Sequence, residues 1–421
     1  MKIGILTTEL IANGGAARQA LMLTQWLEAF GHRATVYAIE YCPENCYPEI
    51  ARSVDIRAVE RVSLADVRKR TRERHHNLLR GAKRHLLASR RLARLVDESC
   101  DILNPHVRGA TRAAVLCKRR TGVPVVWMCE DARNWEEPGY RPYYSKPVQF
   151  LFDRVMAQAE RPVVREIDRV VTLDHRVKTI IERYYGRPAE VVRSGVDAAS
   201  FQRQPDARGK IRARHGIAAT DVLLLWLGIL EPHRRLEDAI EALRLLHLGG
   251  ETQFCLLIAG SAAIAPGYAR RLQKLVERYQ LSCAVQFHLE AVPESEMADY
   301  YSAADGLVYL AENQCWGLGV FEALACDLPV IVSRSCGAHE VLEHRRTALL
   351  VSPRSPEELA RAFADLARMP GCGRSLASEA RVRVLEQITW EAYARNLLRV
   401  FEGVLCSQRE AAAHAHREAF A

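Results

Sequence analysis

Short apolar runs of strand length alternate along the chain with segments of helical periodicity. The first run, Lys2–Thr7, ends in a glycine-containing turn at 12–15, and apolar residues then recur at helical spacing over 20–30. Gly31 and His32 end this helix before a second run at Ala34–Ile39. A strand, a helix and a strand in this order predict a βαβ unit.

The same alternation continues, with predicted strands at Asp101–Asn104, Val123–Met128 and Arg169–Leu173. Residues 198–220 are polar and lack a clear period, so we predict a linker there. The alternation then restarts, with predicted strands at Val222–Leu227, Gln253–Ala259, Val285–His288, Gly306–Tyr309, Val330–Ser333 and Thr347–Val351. Two successive doubly wound parallel sheets predict an α/β protein with its ligand site at the carboxyl ends of the strands.

The length of 421 residues fits two or three domains. We expect an N-terminal Rossmann-like domain over 1–200, a C-terminal one over 201–388, and a helical tail over 389–421 that crosses back toward the first.

The composition is that of a soluble globular protein, with 49% hydrophobic and 26% charged residues. No apolar run approaches the roughly 18 residues that cross a bilayer, and the first residues lack the apolar core of a signal peptide. The 12 cysteines show no paired motif typical of a zinc site or a disulfide framework. We therefore expect a cytoplasmic protein.

Positive charge is concentrated between Arg61 and Leu95, which holds twelve Lys or Arg against two acids. Because the formal net charge of the chain is +8, the remainder is slightly acidic, and a nucleic-acid partner is not expected. Leucines interleave with these charges. The stretch is either a solvated helix face or a basic helix that meets an anionic membrane or an anionic acceptor.

Two glycine-containing turns precede helices and are candidates for binding phosphate. Gly14 and Gly15 follow the first predicted strand, where backbone N–H groups can approach an anion, although a tight turn alone would also favour glycine. Gln314–Gly319 opens a second helix, and Glu322 follows among apolar residues. A carboxylate in such surroundings needs partners, which either a ribose diol or a structural donor would supply.

The segment from Gln314 to Val332 resembles the nucleotide-sugar signature of family-4 glycosyltransferases of the GT-B fold. That signature is Glu, seven residues, Glu, and then Ala-x-Ala-x-Gly-x-Pro-Val. Further motifs resemble the family in the expected order: Gly14–Arg18, Asp101–His106, Gly195–Phe201, Gly228–Arg235 and Gly337–Val341. The resemblance implies two Rossmann-like domains that face each other across a cleft, with the donor in the C-terminal one.

The resemblance also implies roles for individual residues. On the donor side, Glu322 would bind the ribose and Arg234 the diphosphate, and the other donor-binding residues would be Gly14, Gly15, Arg235, Gln314, Cys315, Trp316, Gly317, Leu318 and Gly319. His106 would lie near the transferred sugar and act in catalysis with Arg234 and Glu322. Without the resemblance, His106 would be interpreted as a satisfied polar side chain. Apart from the resemblance, Glu130 and Asp131 follow the apolar run Val125–Cys129 as His106 follows its strand, so they either line the acceptor side or are ordinary polar residues of a loop.

The chain departs from the family pattern at two positions. Gln314 stands in place of the first Glu and can bind sugar hydroxyls without a charge. Ile229 stands in place of the usual Arg, so Arg234 would neutralise the diphosphate. The sequence contains no metal-ligand cluster, and we expect no cofactor and no metal.

These observations predict a retaining glycosyltransferase of polysaccharide or glycolipid biosynthesis. It would move a hexosyl unit from a nucleotide diphosphate sugar to a hydroxyl of a glycan, glycolipid or lipid-linked acceptor, either in the cytoplasm or at the inner face of a membrane. The alternatives are a sugar phosphorylase or nucleotide-sugar epimerase on the same fold, or a non-catalytic descendant that binds a nucleotide sugar or a membrane.

Overall fold

A computed structural model describes residues 1–11, 14–67, 78–130, 155, 158–263, 265–312 and 316–419. The chain forms two compact units. The N-terminal unit comprises residues 1–194 together with 390–421, and the C-terminal unit comprises residues 195–389. The C-terminal segment 390–421 therefore folds with the beginning of the chain, and residues 195–200 fold with the second unit.

Parallel strands build the N-terminal unit. Strands β1 Lys2–Leu10, β2 Arg33–Tyr41, β3 Asp55–Arg61 and β4 Ile102–Pro105 form a sheet in the order β3-β2-β1-β4. Strands β5 Val126–Cys129, β6 Arg169–Thr172 and β7 Ala189–Val191 form a second sheet in the order β5-β6-β7. Single parallel bridges from Leu103 to Val125 and from His106 to Met128 connect β4 with the β5 region, so these two strands end side by side.

The C-terminal unit has one six-stranded parallel sheet. Its strands are β8 Val222–Leu227, β9 Phe254–Ala259, β10 Val285–His288, β11 Gly306–Tyr309, β12 Val330–Ser333 and β13 Leu349–Val351, in the order β10-β9-β8-β11-β12-β13. The central strand β8 is almost continuously apolar and buried, as expected for a parallel strand with both faces covered. The core of the unit includes Trp226, Ile258 and Phe363, each at most 1% exposed.

Helices alternate with these strands along most of the chain. They are α1 Gly15–Ala29, α2 Pro48–Ala51, α3 Leu78–Leu95, α4 Val107–Thr121, α5 His175–Tyr185, α6 Ala207–Arg214, α7 Leu236–Leu248, α8 Pro266–Arg278, α9 Glu294–Ala303, α10 Leu318–Ala325, α11 Pro356–Arg368, α12 Arg374–Ala380 and α13 Trp390–Ala419. Residues 158–165 are also helical. Helix α13 packs against α1, where the guanidinium of Arg395 lies 5.1 Å from the ring centre of Phe30.

The predicted α/β class with parallel sheets is confirmed, but the linker predicted over 198–220 is wrong in its central part. Helix α6 lies there and packs against α9. This helix has few apolar positions. One of its buried positions is instead Arg212, which is 3% exposed and forms an ion pair with Asp305 at 2.6 Å. A buried ion pair thus replaces the apolar stripe that would have revealed the helix. The apolar pattern also does not predict β3 and β7, which are edge strands.

The basic stretch is divided between several elements. Arg61 ends β3, residues 64–67 are helical, residues 68–77 lie outside the described residues, and α3 holds Leu78–Leu95. In its second half, Ser89 and Leu92 are buried, whereas Leu86 and Leu87 are 43% and 47% exposed.

Candidate functional site

The candidate donor site lies at the carboxyl ends of β8 and β11. From β8 the chain extends the sheet through β9 and β10 on one side, while β11, β12 and β13 extend it on the other. The strand order therefore reverses between β8 and β11, and ligands of open α/β sheets bind at such points. The structure places Arg234, Gly317 and Glu322 in this part of the C-terminal unit. Arg234 contacts Tyr309, and Glu322 contacts the neighbouring Tyr301. A Cβ atom added at Gly317 would also lie against the ring of Tyr309.

Arg234 is oriented by Tyr309, the last residue of β11. Arg234 ends the 3-10 turn Pro232–Arg234, and one of its Nη atoms donates a hydrogen bond to Tyr309 Oη at 3.2 Å. Burial raises the pKa of Tyr309 to about 12, although the positive charge of Arg234 acts in the opposite direction. The phenol is therefore neutral near pH 7. It orients the guanidinium without neutralising its charge.

Arg235 is engaged within the protein. It adopts the left-handed region at φ 55 and caps α7. Its guanidinium binds Asp238 with two hydrogen bonds of 2.7 and 3.0 Å, and it also contacts Glu237 at 3.2 Å. This bidentate pairing anchors the turn that carries Arg234. A direct contact of Arg235 with the donor stays a prediction.

Gly317 is required at the N terminus of α10 for two physical reasons. It has φ 77 and ψ 64, which is the left-handed region that favours glycine. A Cβ atom here would lie 2.9 Å from Cys336 Sγ and 3.0 Å from Tyr309 Cε1. The turn leads into Leu318 and Gly319 in the first turn of α10, where backbone N–H groups and the helix dipole favour an anion.

Glu322 lies on α10 and is 5% exposed. Tyr301, from α9, donates a hydrogen bond from its hydroxyl to Glu322 Oε2 at 3.0 Å. Burial, with the charge of Glu322 as the next cause, raises the pKa of Tyr301 well above its usual value. The neutral phenol therefore gives the carboxylate one structural partner, and a carboxylate can accept further hydrogen bonds.

Trp316 serves to fix the loop before α10. Its ring is 1% exposed and stacks on Phe321 with centroids 4.7 Å apart. A donor contact would therefore use its backbone. Two other predicted donor residues, Gln314 and Cys315, lie outside the described residues, as does Asp131 on the acceptor side.

In the N-terminal unit, Gly14 caps α1 and Gly15 is the first residue of that helix. Among the described residues, no atom lies within 4 Å of the position that a Cβ at Gly14 would take. The neighbouring Arg18 is 6% exposed, and its guanidinium lies 5.6 Å from the ring centre of Tyr47. The turn and this cation are the features of α1 that suit a phosphate group.

His106 and Glu130 are in direct contact. They follow β4 and β5, and His106 Nδ1 lies 2.7 Å from Glu130 Oε1. His106 Nε2 lies 2.9 Å from Asn104 Oδ1. The side chain of His106 is 0% exposed and that of Glu130 is 9% exposed.

Sequence patterns did not predict Tyr301, Tyr309 or Asn104 as members of these sites. Tyr309 could have been found, because it ends a predicted strand at the carboxyl edge of the sheet. Tyr301 gives no such signal, since it lies within α9 and reaches Glu322 through helix packing.

Two kinds of feature are absent from the described residues. Within the described ranges, no three His, Cys, Asp or Glu side chains are grouped so that they could hold a metal ion. Among the helices of the same ranges, none combines the length and the apolar character needed to cross a membrane.

Sequence comparison matches both halves of the chain to known families. Residues 207–383 match the family described as Glycosyl transferases group 1, and residues 13–200 match Glycosyltransferase Family 4. The D-inositol 3-phosphate glycosyltransferase of Frankia alni is 28% identical over 317 residues, covering 72% of this chain and 74% of that protein. The enzyme of the same name from Streptomyces bingchenggensis is 28% identical over 244 residues, which is 56% of this chain and about half, 52%, of that protein.

Structure comparison gives a similar fold along almost the whole chain. The crystal structure of Anabaena Alr3699/HepE in complex with UDP and glucose superposes with a TM-score of 0.75. The alignment covers 96% of this chain and 100% of that one at 16% identity. At this identity the likeness concerns the fold.

Proposed function

Because the chain belongs to the glycosyltransferases of group 1 and family 4 and has their GT-B fold, we propose that it transfers a hexosyl unit from a nucleotide diphosphate sugar to a hydroxyl acceptor, with retention of configuration. The observation that carries the proposal is the convergence of Arg234, the N terminus of α10 and Glu322 at the carboxyl ends of β8 and β11. This arrangement offers a cation, oriented amides and a carboxylate at one switch point.

Each of these groups suits one part of the donor. The Glu322 carboxylate would accept hydrogen bonds from both ribose hydroxyls in addition to the one that Tyr301 donates. The Arg234 guanidinium would bind the diphosphate, where its planar fork favours two parallel hydrogen bonds. The backbone N–H groups of Leu318 and Gly319 would add to this binding.

The N-terminal unit would provide the acceptor side. Gly14 and Gly15 would approach the distal phosphate, and Glu130 with Asp131 would line the acceptor. The relatives are named for D-inositol 3-phosphate, a polyol that carries a phosphate. An acceptor with several hydroxyl groups and an anionic group is therefore the class to test first.

Catalysis would depend on positioning and on stabilising the departing diphosphate. A phosphate oxygen of the donor would take the proton of the acceptor hydroxyl, and the new bond would form on the face from which the diphosphate leaves. Arg234 would stabilise the negative charge that develops on the leaving group. We propose that no metal ion is required, since this cation occupies that role.

The test is release of nucleoside diphosphate from UDP-, GDP- and ADP-linked hexoses, with and without a panel of inositol phosphates, sugar phosphates and lipid-linked sugars. We expect release only when an acceptor is present, unchanged by excess EDTA, and an anomeric configuration in the product equal to that of the donor. Dependence on inorganic phosphate would indicate a phosphorylase, and conversion of the donor without release would indicate an epimerase.

We also propose that the second half of α3 docks the enzyme on an anionic membrane leaflet. Leu86 and Leu87 are exposed there together with Arg90, Arg91 and Arg94, so apolar and cationic side chains share the surface. Each cation near such a leaflet contributes about 1 kcal/mol, screened beyond about 8 Å at physiological ionic strength.

Co-sedimentation with phosphatidylglycerol and phosphatidylcholine vesicles tests this docking. Reversal of Arg90, Arg91 and Arg94 to Glu should abolish binding to phosphatidylglycerol at low salt, whereas the same reversal at exposed positions of α8 (Arg270, Lys274 and Arg278) should not. If the unchanged protein does not bind phosphatidylglycerol vesicles at low salt, the membrane proposal is wrong. The positive charges would then bind a soluble anionic acceptor.

A further inference from the structure

The C-terminal unit has a surface hollow at the amino ends of its strands. Asp305 directly precedes β11, Pro329 directly precedes β12, and both line this amino-edge hollow. The hollow holds about 290 Å³ of space that is open to solvent. The candidate donor site lies at the carboxyl ends, and because β11 has four residues, the two edges are about 13 Å apart along it. The hollow is therefore a separate place on the sheet.

The two carboxylates that line the amino-edge hollow are neutralised within the protein. Asp305 pairs with Arg212 at 2.6 Å and with Arg208 at 2.8 Å. Asp327, just after α10, pairs with Arg381 at 3.0 Å. Arg381 also donates to a backbone carbonyl in the last turn of α10 at 3.1 Å, which offsets the negative end of that helix. These acidic groups therefore leave no excess of negative charge at the hollow.

Two further arginines line the same hollow and are exposed. They are Arg203, before α6, and Arg374, at the start of α12. Among the described residues, neither has an ion-pair or hydrogen-bond partner. The charged lining residues and their ion-pair partners together comprise five guanidinium groups and two carboxylates. The resulting excess of positive charge favours an anion at this place.

The backbone that carries the two arginines is held in place. Next to Arg203, the N–H of Gln204 donates to Ser302 Oγ at 2.9 Å, which ties this segment to α9. Arg374 directly follows Gly373, which caps α12 in the left-handed region at φ 72. A ligand would therefore need to order the two side chains and not the segments that carry them, which lowers the entropic cost of binding.

The charge and the size of the hollow indicate one class of ligand. A phosphate monoester carries about −1.5 to −2 charges near pH 7 and has three strong acceptor oxygens, so it matches two guanidinium groups. The planar fork of each guanidinium binds phosphate oxygens through two parallel hydrogen bonds. Pockets for drug-sized ligands hold about 300–1,000 Å³, so a hollow of about 290 Å³ suits a smaller molecule.

We propose that the amino-edge hollow binds a small phosphate monoester, such as a sugar phosphate, at a site distinct from the donor site. Arg203 and Arg374 bind the phosphate group. Tyr301 also lines the hollow, but its hydroxyl donates to Glu322, so its ring forms a wall and the hydroxyl is not a ligand contact. The proposal concerns binding alone and does not depend on the proposed glycosyl transfer.

Calorimetric titration with glucose 6-phosphate at low salt tests the site, and glucose and glucuronate are the probes that lack the phosphate. The variant that combines Arg203→Ala with Arg374→Ala should raise the dissociation constant for glucose 6-phosphate at least tenfold, with an unchanged melting temperature. The matched control combines Arg270→Ala with Arg278→Ala, which removes two exposed guanidinium groups from α8, outside the hollow. It should change the constant less than twofold. Saturating UDP should not displace glucose 6-phosphate from the hollow.

Several results would overturn the proposal. If the unchanged protein does not bind glucose 6-phosphate at millimolar concentration and low salt, Arg203 and Arg374 are only solvated surface residues. Equal binding by the unchanged protein and the Arg203 and Arg374 variant would place the ligand elsewhere, and so would displacement by UDP. Equal weakening in both double variants would indicate a non-specific effect of net charge. Glucuronate bound as tightly as glucose 6-phosphate would show that the hollow does not select a phosphate group.

Discussion

Replacement of Tyr301 by Phe removes the donor that the structure shows for Glu322. The hydroxyl lies 3.0 Å from Glu322 Oε2, and a hydrogen bond to a charged group contributes about 1.5–3 kcal/mol. The ring of Tyr301 is 1% exposed and packs at 6.2 Å from that of Phe201, so Phe should keep the packing. We expect the free energy of unfolding to fall by about 1.5–3 kcal/mol. At roughly 2–4 °C per kcal/mol for a domain of 150–250 residues, the melting temperature should fall by about 3–12 °C.

The same pair predicts an effect on donor binding. Glu322→Gln removes the negative charge of the carboxylate that we propose binds the ribose hydroxyls. The dissociation constant for a nucleoside diphosphate should therefore rise about 10- to 150-fold, equivalent to about 1.5–3 kcal/mol. Tyr301→Phe should raise it less, because the carboxylate remains. Calorimetric titration with UDP, GDP and ADP measures these constants, and chemical denaturation measures stability. Glu379→Gln, at a half-exposed carboxylate of α12, is the control and should leave the dissociation constants unchanged.

Two results would refute this reasoning. If Glu322→Gln binds the nucleotide as tightly as the unchanged protein, Glu322 has a structural role and does not hold the ribose. The second result concerns the variant that combines Tyr301→Phe with Glu322→Gln. If its loss in unfolding free energy equals the sum of the losses in the two single variants, the hydroxyl and the carboxylate are not coupled, and their contact contributes nothing to stability.

Three further predictions concern the same site. Gly317→Ala forces a Cβ to within 2.9 Å of Cys336 Sγ at φ 77, and should cost about 1–3 kcal/mol in a denaturant titration and weaken UDP binding; unchanged stability would contradict the strain. Arg234→Ala should abolish diphosphate release in the presence of EDTA and barely change the melting temperature. Arg235→Ala should lower the melting temperature, because it removes the ion pair with Asp238. Equal effects of the two substitutions would contradict the assignment. Burial raises the pKa of Tyr309 to about 12, so its contribution to stability is complete below about pH 10 and is lost as the pH rises to about 12. In Tyr309→Phe the decline of unfolding free energy between pH 10 and 12 should be shallower by up to about 1.4 kcal/mol per pH unit, and an identical slope would show that Tyr309 does not titrate differently in the folded state.

The sequence by itself determined the class of the fold and the order of most of its elements. Apolar runs of strand length and helical spacing are local properties, so β8 and the glycine-containing turns before α1 and α10 could be located without the structure. The motifs around Gly317 and Glu322 also indicated the family, because their spacing is a property of the chain alone. Side-chain partners are not such a property.

Tertiary structure decided which groups face each other. Tyr301 and Glu322 are 21 residues apart and meet because α9 packs beside α10, and His106 and Glu130 are 24 apart and meet because parallel strands end side by side. The burial of both nitrogens of His106 follows from these contacts, so the sequence could mark the histidine but not its role. The sequence also did not predict helix α6, because a long-range contact takes the place of an apolar face. Arg212 of this helix is buried by an ion pair with Asp305, which lies 93 residues away in the sequence. Periodicity predicts which face of a helix or strand is buried. A polar contact depends on which other element packs against that face, and the fold as a whole determines that packing.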